Sequence, residues 1–313
     1  MLFRPPLALL LALPVATFCA EPADTVNRTP PAVYAEHIAP LLTRPDSVAT
    51  ARAALASDEQ DGLILLSETV HYRDTDGTLY RAYHHVYHVL GQSAVEGLAN
   101  SIFTYDRERE SLFLIEAATI LADGTRLPVE AKGAFIQTPQ HEAENSLYTS
   151  EAELNLIFPQ VAPGATTEAI VLVRENTPLM PGEFCANQTF ASGWPTHRRH
   201  FVVELPDSDW ARLRTLATGS AIPEPRVETP ASGRTRRTWT QSLAPRSHWE
   251  ESAPAFRYCQ PTLWLTTLPD WERVAGWFHG LASARSDLGA ELTAEVDRLT
   301  AGLTEPAQIV DTL

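Results

Sequence analysis

The residues best suited to chemistry are gathered in one short run, Tyr83-His84-His85-Val86-Tyr87-His88, with His71 shortly before it. Imidazole nitrogens bind metals and move protons near neutral pH, so histidines this close raise both possibilities. The surrounding residues are strand formers, and along a strand side chains alternate between faces. His84 and His88 then share a face but stand about 13 Å apart, too far to hold one ion between them. His85 points the other way. A tight turn at Asp76-Gly77 sets His71 opposite Ala82, which leaves His71 and His84 as a diagonal pair. Two nitrogens with no carboxylate or third histidine beside them make a poor metal site. The run is expected to be histidines on a half-exposed sheet face, with a metal-dependent enzyme built on this hairpin as the lesser alternative.

A nucleophile with its base is no easier to assemble. Cys185 lies in Pro181-Gly182-Glu183-Phe184-Cys185-Ala186 and Cys259 in Tyr258-Cys259-Gln260-Pro261. Neither context supplies the adjacent base or helix N-terminus that activates a thiol. Glu142 and Glu144 fall in a polar stretch where solvated charge is ordinary. Glycine-rich phosphate loops and Cys/His zinc spacings are absent. The expectation is therefore no catalytic residue, no cofactor and no metal. Trp194, Trp210, Trp239, Trp249, Trp264, Trp271 and Trp277 could line a sugar- or peptide-binding groove, but their places in strands and on helix faces favour core packing. Asn27-Arg28-Thr29 and Asn187-Gln188-Thr189 match the glycosylation sequon, which matters only in a eukaryotic secretory pathway.

The elements that must position these residues are mostly strands. Leu63 to Tyr72 and Leu79 to Leu90 flank Asp76-Gly77 as the two arms of a hairpin. Further strands are expected at Asn100 to Tyr105, Ser111 to Leu121 and Arg126 to Glu130, with Asp123-Gly124 as a second turn. Others follow at Glu153 to Phe158, Thr167 to Arg174, Asn187 to Phe190 and Thr196 to Glu204. Leu213 to Thr218 and Arg234 to Leu243 read as a later pair joined by a proline-rich loop. Ala32 to Leu42 and Ser47 to Ala56 carry apolar residues at helical spacing, with Asp46 or Ser47 as an N-cap. Helical spacing returns over Trp271 to Arg285, Asp287 to Leu303 and Glu305 to Leu313. The last of these stops without a cap, which suggests a chain cut at Leu313.

Composition agrees. Hydrophobic residues are 44% and charged residues 20% of 313, enough for a real core, and the 24 prolines disfavour long helices. The net charge of −15 repels phosphate backbones and anionic lipid, so nucleic acid and membrane surfaces are poor partners. Arg4, the apolar run Leu7 to Phe18, then Cys19-Ala20 read as a cleaved export signal. That run spans roughly 18 Å as a helix, short of a bilayer core of about 30 Å. After cleavage Cys185 and Cys259 are the thiols that remain, and in an oxidising compartment they could pair, for roughly 4 kcal/mol of stabilisation. Two separately buried thiols are the alternative.

Several short motifs in fixed order carry a resemblance. They are Asp61-Gly62-Leu63-Ile64-Leu65-Leu66, then Val86-Tyr87-His88-Val89-Leu90, then Ala117-Ala118-Thr119-Ile120-Leu121-Ala122-Asp123-Gly124-Thr125. Ile157-Phe158-Pro159-Gln160-Val161-Ala162-Pro163-Gly164 and Pro261-Thr262-Leu263-Trp264-Leu265-Thr266-Thr267, followed by Trp271, complete the series. Over residues 60 to 313 the chain resembles a bacterial domain of unknown function found, after a signal peptide, N-terminal to transglutaminase-like cores. The resemblance implies that the catalytic cysteine, histidine and aspartate belong to a core beginning about where this chain ends. Neither Cys185 nor Cys259 matches the core's cysteine, so no catalytic residue carries over. It further implies an exported accessory domain that helps position protein or peptide substrates.

The expected organisation is a signal peptide at 1–20, a linker and short helical pair at 21–60, a β-rich accessory domain at 61–267 and a helical segment at 268–313. The expected fold class is mainly β, an antiparallel sandwich-like domain with short helices at both ends. The expected partners are a C-terminal transglutaminase-like core of the same protein and a protein or peptide substrate, with no membrane span after signal cleavage. The alternative function is a stand-alone periplasmic carbohydrate- or peptide-binding module.

Overall fold

The computed structural model describes residues 25–54, 61–139, 150–219, 222–247, 254, 259–283 and 289–313. The signal-like residues 1–20, Glu142, Glu144 and Trp249 lie outside the described residues. A π-turn over Tyr34–Ile38, a 3-10 turn over Ala39–Leu41 and helix α1 (Val48–Ala54) open the chain. The helical segment expected over 32–42 forms without a break over 32–41, π-wound over Tyr34–Ile38 and tightening to 3-10 geometry around Pro40, and the second expected helix also forms, with Ser47 Oγ accepting the Thr50 N–H at 3.1 Å as its cap. Strands β1 (Gly62–Arg73) and β2 (Leu79–Val89) follow, then α2 (Val95–Leu98), β3 (Asn100–Asp106), β4 (Glu110–Ile120), β5 (Arg126–Pro128), β6 (Ala134–Gln137), β7 (Glu151–Ile157) and β8 (Thr166–Glu175). The second half holds β9 (Cys185–Thr189), β10 (Thr196–Pro206), α3 (Asp207–Arg212), β11 (Arg214–Thr218), β12 (Arg226–Ala231), β13 (Arg234–Ala244) and β14 (Thr262–Thr266). Helices α4 (Trp271–Ser283), α5 (Ala290–Leu299) and α6 (Pro306–Thr312) close it.

An eight-stranded sheet in the order β12-β13-β10-β1-β2-β8-β4-β5 forms one layer, and two three-stranded sheets, β3-β7-β6 and β11-β14-β9, form the other. The fold is mainly β with short helices at both ends, as the alternation of strand formers predicts. β1 and β10 run parallel, and the other strand pairs of the large sheet are antiparallel.

Two sequence expectations are corrected. The hairpin loop is five residues, not two: Asp74 N–H bonds Thr78 O, Gly77 N–H bonds Asp74 O, and Asp76 Oδ1 accepts the Thr78 N–H. Gly77 adopts φ +89°, open to glycine without strain. This loop sets His71 opposite Arg81 and Glu68 opposite His84. A register slip of one residue changes which faces meet, so His71 and His84 lie on opposite faces and form no diagonal pair. The second correction concerns β11 and β13, which do not pair. β11 joins β14, and β13 pairs instead with β12, formed inside the proline-rich stretch. Pro230 is tolerated there because β12 is an edge strand.

Both small sheets pack on one face of the large one. Phe103, Leu154 and Leu156 meet Leu114, Val171 and Val173 under β3-β7-β6. Leu263 and Leu265 meet Phe201, Val203 and Trp239 under β11-β14-β9. The opposite face is covered by the N-terminal strap, residues 33–54, where Ile38 packs on Val70, Tyr72, Ala82 and Leu172, and Ala51 on Leu66 and Val86. Phe201 is fully buried at the centre of one of these cores. Phe201→Ala is expected to cost about 3–5 kcal/mol, read as a lower midpoint in urea unfolding.

Candidate functional site

The alternation along β1 places Glu68 inward with Leu66 and Val70, an acid on an apolar stripe. It has no solvent exposure. The backbone N–H and hydroxyl of Thr43, on the strap, donate to its two oxygens at 2.9 and 2.8 Å. His200 Nδ1, on β10, lies 3.1 Å from Glu68 Oε1, and His84 Nδ1, on β2, lies 3.8 Å from Oε2. His84 reaches on through Nε2 to Glu168 of β8 at 2.9 Å, and Glu168 accepts from Arg126, which also pairs with Glu116. A line of alternating acidic and basic side chains thus crosses the sheet beneath the strap, from β10 to β5.

Burial pushes the Glu68 carboxyl pKa up, but the bonds to His200, His84 and Thr43 outweigh it and hold it down at about 2. Burial likewise opposes charge on His84, but Glu168 and Glu68 raise its pKa to about 9. The other histidines of the run fare differently. Burial lowers His71 to about 3, with Arg81 adding to it, and lowers His85 to about 4, with His84 and Arg199 adding. His88 is lowered by burial too, and its Nδ1 meets the Thr166 hydroxyl at 2.9 Å.

A cleft of about 290 Å³ opens at the β10 end of this line, between Pro40 and Leu41 of the strap and Arg226, Glu228 and Arg236 of the edge hairpin. His200 and Thr43 lie at its floor. The carboxylate-imidazole pair Glu68–His200 can orient a ring for proton transfer, yet the Thr43 hydroxyl is spent on Glu68, and Arg226 and Arg236 are paired with Glu228 and Glu204. What the group visibly does is clamp the strap. Asp46 adds a second clamp, bonding His197 Nε2 at 2.9 Å and Arg198 at 2.7 Å. Among the described residues no set of three or more His, Cys, Asp or Glu could hold a metal ion.

Glu68, Glu168, His200 and Thr43 were missed by sequence reasoning. The available signal was Glu68 itself, a charge in phase with Leu66 and Val70.

Cys185 and Cys259 are both free and exposed. Cys185 pairs opposite Thr266 at one end of β14, while Cys259 precedes the other end at Thr262. The strand between them rises about 13 Å, and a disulfide needs Cα atoms within about 7 Å. The tryptophans disperse: Trp239 is in a core, Trp210 donates to Thr235 O, Trp194 packs by Leu98, Trp264 sits mid-strand on β14, and Trp271 and Trp277 ride on α4.

The C-terminal helices bury no residue of their own. Trp271 is 84% and Phe278 64% exposed, and Leu281, Leu292, Leu299 and Val310 are exposed as well. The start of α4 is nevertheless fixed. Asp270 Oδ1 accepts the Arg273 N–H at 2.9 Å, and the Arg273 guanidinium lies 3.5 Å from Glu183. No helix among the described residues is long and apolar enough to cross a membrane.

Glu68 contributes stability that is complete above about pH 4.5 and lost as pH falls towards 2. His84 contributes stability that is complete below about pH 6.5 and lost as pH rises towards 9. His84→Ala is therefore expected to cost about 3–5 kcal/mol at pH 6, by leaving Glu68 underpaired, and to flatten the alkaline decline. Urea unfolding at a series of pH values reads both, and an alkaline decline retained by the variant would refute the assignment. Native alkylation with iodoacetamide is expected to label Cys185 and Cys259 together, with no linked peptide in the digest.

Comparison with known proteins places the fold. A solved structure described as a proposed protease of Parabacteroides distasonis matches with a TM-score of 0.64 at 17% identity, over 80% of this chain and 49% of that one. An M1 zinc metallopeptidase of Deinococcus radiodurans is matched at a TM-score of 0.31 and 13% identity, over 66% of this chain and 41% of that one. The first supports a shared fold; the second is too distant to carry an argument. This chain spans about half the length of the Parabacteroides protein. No curated protein sequence matches significantly. A model for a domain of unknown function with a solved structure covers residues 75–247, more than half of the chain, and the chain accordingly belongs to the DUF3857 family.

Proposed function

We propose that this chain is an exported, non-catalytic accessory domain of a larger transglutaminase-like protein, docked to the rest of that protein through its C-terminal helices. The observation that carries the reading is the apolar face of α4 to α6. Trp271, Phe278 and Leu281 recur at helical spacing yet meet water in this chain. Covering such side chains stabilises an association by about 1.5–3 kcal/mol each. Their first turn is locked by Asp270, Arg273 and Glu183, so the helix leaves the sheets in a fixed direction, as a connection between domains requires. Export rests on Arg4, the apolar run Leu7 to Phe18 and Ala20. The transglutaminase-like association rests on the ordered motifs between Asp61 and Trp271.

Two outcomes are expected. The purified chain, given glutamine-donor and amine-acceptor peptides, shows no acyl transfer or hydrolysis; turnover that co-purifies with the chain and is absent from a mock preparation overturns the non-catalytic reading. Phe278→Ser changes the stability of the chain alone by no more than about 0.5 kcal/mol, because the ring is exposed. In the longer protein the same substitution lowers the unfolding midpoint; an equal, negligible effect in both overturns the docking.

A further inference from the structure

On the face that carries the small sheets, burial along the large sheet is inverted. The flanking strands β8 and β10 present only buried side chains there, from Thr167 to Val173 and from Arg199 to Leu205. The central strands β1 and β2 instead present half-buried Ser67, Thr69, Arg81, Tyr83, His85 and Tyr87 there, next to buried His71, Arg73 and Leu79 at the hairpin end. Central strands are normally the most covered. The reason here is that the upper layer is split above them. β3 stands over β2, its Phe103 ring 5.5 Å from His85 and 5.9 Å from Tyr83. β9 stands on the β1 side, since Phe184 just before it meets the His71 ring at 5.8 Å. Both are edge strands, β3 bonded to β7 and β9 to β14. The small sheets therefore turn their edges towards a common crevice floored by the aromatic ladder Tyr83-His85-Tyr87.

At the Arg81 end of this ladder lies a cavity of about 240 Å³, lined by Leu79, Arg81, Glu110, Glu175, Leu179, Met180, Glu183 and Cys185, the last being the first residue of β9. Glu110 and Glu175 sit directly opposite each other on β4 and β8. Like charges so placed repel, and Arg81, paired with Glu110, is the one cation among those lining residues. Burial and then Glu110 raise the Glu175 carboxyl pKa against the lowering effect of the Leu179 backbone, Arg81 and Arg73, and it is the facing pair of carboxylates that gives the cavity room for a second positive charge.

We propose that the crevice binds an extended polypeptide carrying a basic residue, whose backbone adds a strand to the open edge of β9 and whose basic side chain enters the acidic cavity. Main-chain bonds to an exposed sheet edge supply affinity without sequence preference, and the pockets on alternate side chains supply selectivity. The aromatic floor accepts the downward-facing side chains of such a strand, and Glu110 with Glu175 selects lysine or arginine at its end. This site goes beyond the accessory-domain reading and does not depend on it, because it lies on the sheets and not on the C-terminal helices.

The test uses a fluorescein-labelled heptapeptide of sequence TVTKTVT and its glutamate counterpart TVTETVT, titrated with the whole chain. Saturable anisotropy for the lysine peptide is expected, at least about fivefold tighter than for the glutamate peptide. Hydrogen exchange of Cys185 to Thr189 is expected to slow on binding. Glu175→Gln should bring the two peptides within about twofold of each other, and Glu110→Gln provides a second variant should the first lose its fold, checked by circular dichroism. No saturable binding below about 1 mM, equal affinity for both peptides, or binding that leaves β9 exchange unchanged each overturns the proposal. None of these results touches helix docking, which Phe278→Ser reads separately.

Discussion

Glu68 has no exposure to water and sits where strands from distant parts of the chain meet. A lone carboxylate in that place would be intolerable, so the neighbours are constrained to answer it. The five-residue hairpin loop must bring His84 opposite; a slip of one residue would set Tyr83 or His85 there and turn His84 to the other face. β10 must align in parallel with His200 at the same level. The strap must deliver Thr43 from above. Strand register, sheet order and the seating of the N-terminal segment are thus tied to one side chain. Buried ion pairs add little net stability compared with apolar packing, but removing one partner is expensive. The line therefore acts less as glue than as a specification of one arrangement among several that hydrophobic packing alone would permit.

Hydrophobic packing divides along different lines. Two separate cores lie beneath the two small sheets, and two more lie beneath the strap. The large sheet is a platform shared by all of these and covered on both sides, so its strands read as nearly continuous apolar runs where covered and turn polar over β1 and β2. A second polar seam ties the large sheet to α3 and the β11-β14-β9 sheet at the hairpin end, where Arg73 bonds Asp209 at 2.7 Å and Glu183 receives Thr267 and Arg212. That seam also anchors the first turn of α4, which links the direction of the C-terminal helices to the packing of the sheets.

Much of this was legible in the sequence. The arms of the first hairpin, the turn at Asp123-Gly124, the helical ends and the strand-rich middle follow from period and turn chemistry, which are local. What was lost was non-local. A tight turn at Asp76-Gly77 and the observed longer loop differ by one residue in register, and that one residue decided whether His84 met His71 or Glu68. Arg226 to Ala231 was read as loop because Pro230 is a strand breaker inside a sheet, yet an edge position removes the objection. The pairing of β11 with β14 across the stretch 219–261 had no local signature. For the site, the in-phase charge of Glu68 was visible, but its partners His200 and Glu168 come from strands whose neighbours only the folded sheet reveals.

The parallel contact between β1 and β10 has a kinetic consequence. Glu68 and His200 are separated by 132 residues, and the pair sits in the middle of the large sheet. Closing so long a loop is entropically slow, and contacts of this range set the pace of folding in strand-rich chains. During synthesis from the N-terminus, β1 and β2 emerge early with Thr43 and His84 at hand for Glu68, but the β1 edge stays open and the acid lacks its His200 partner until the region near residue 200 arrives. The central sheet is thus completed late, in a step that joins the two halves of the chain at once.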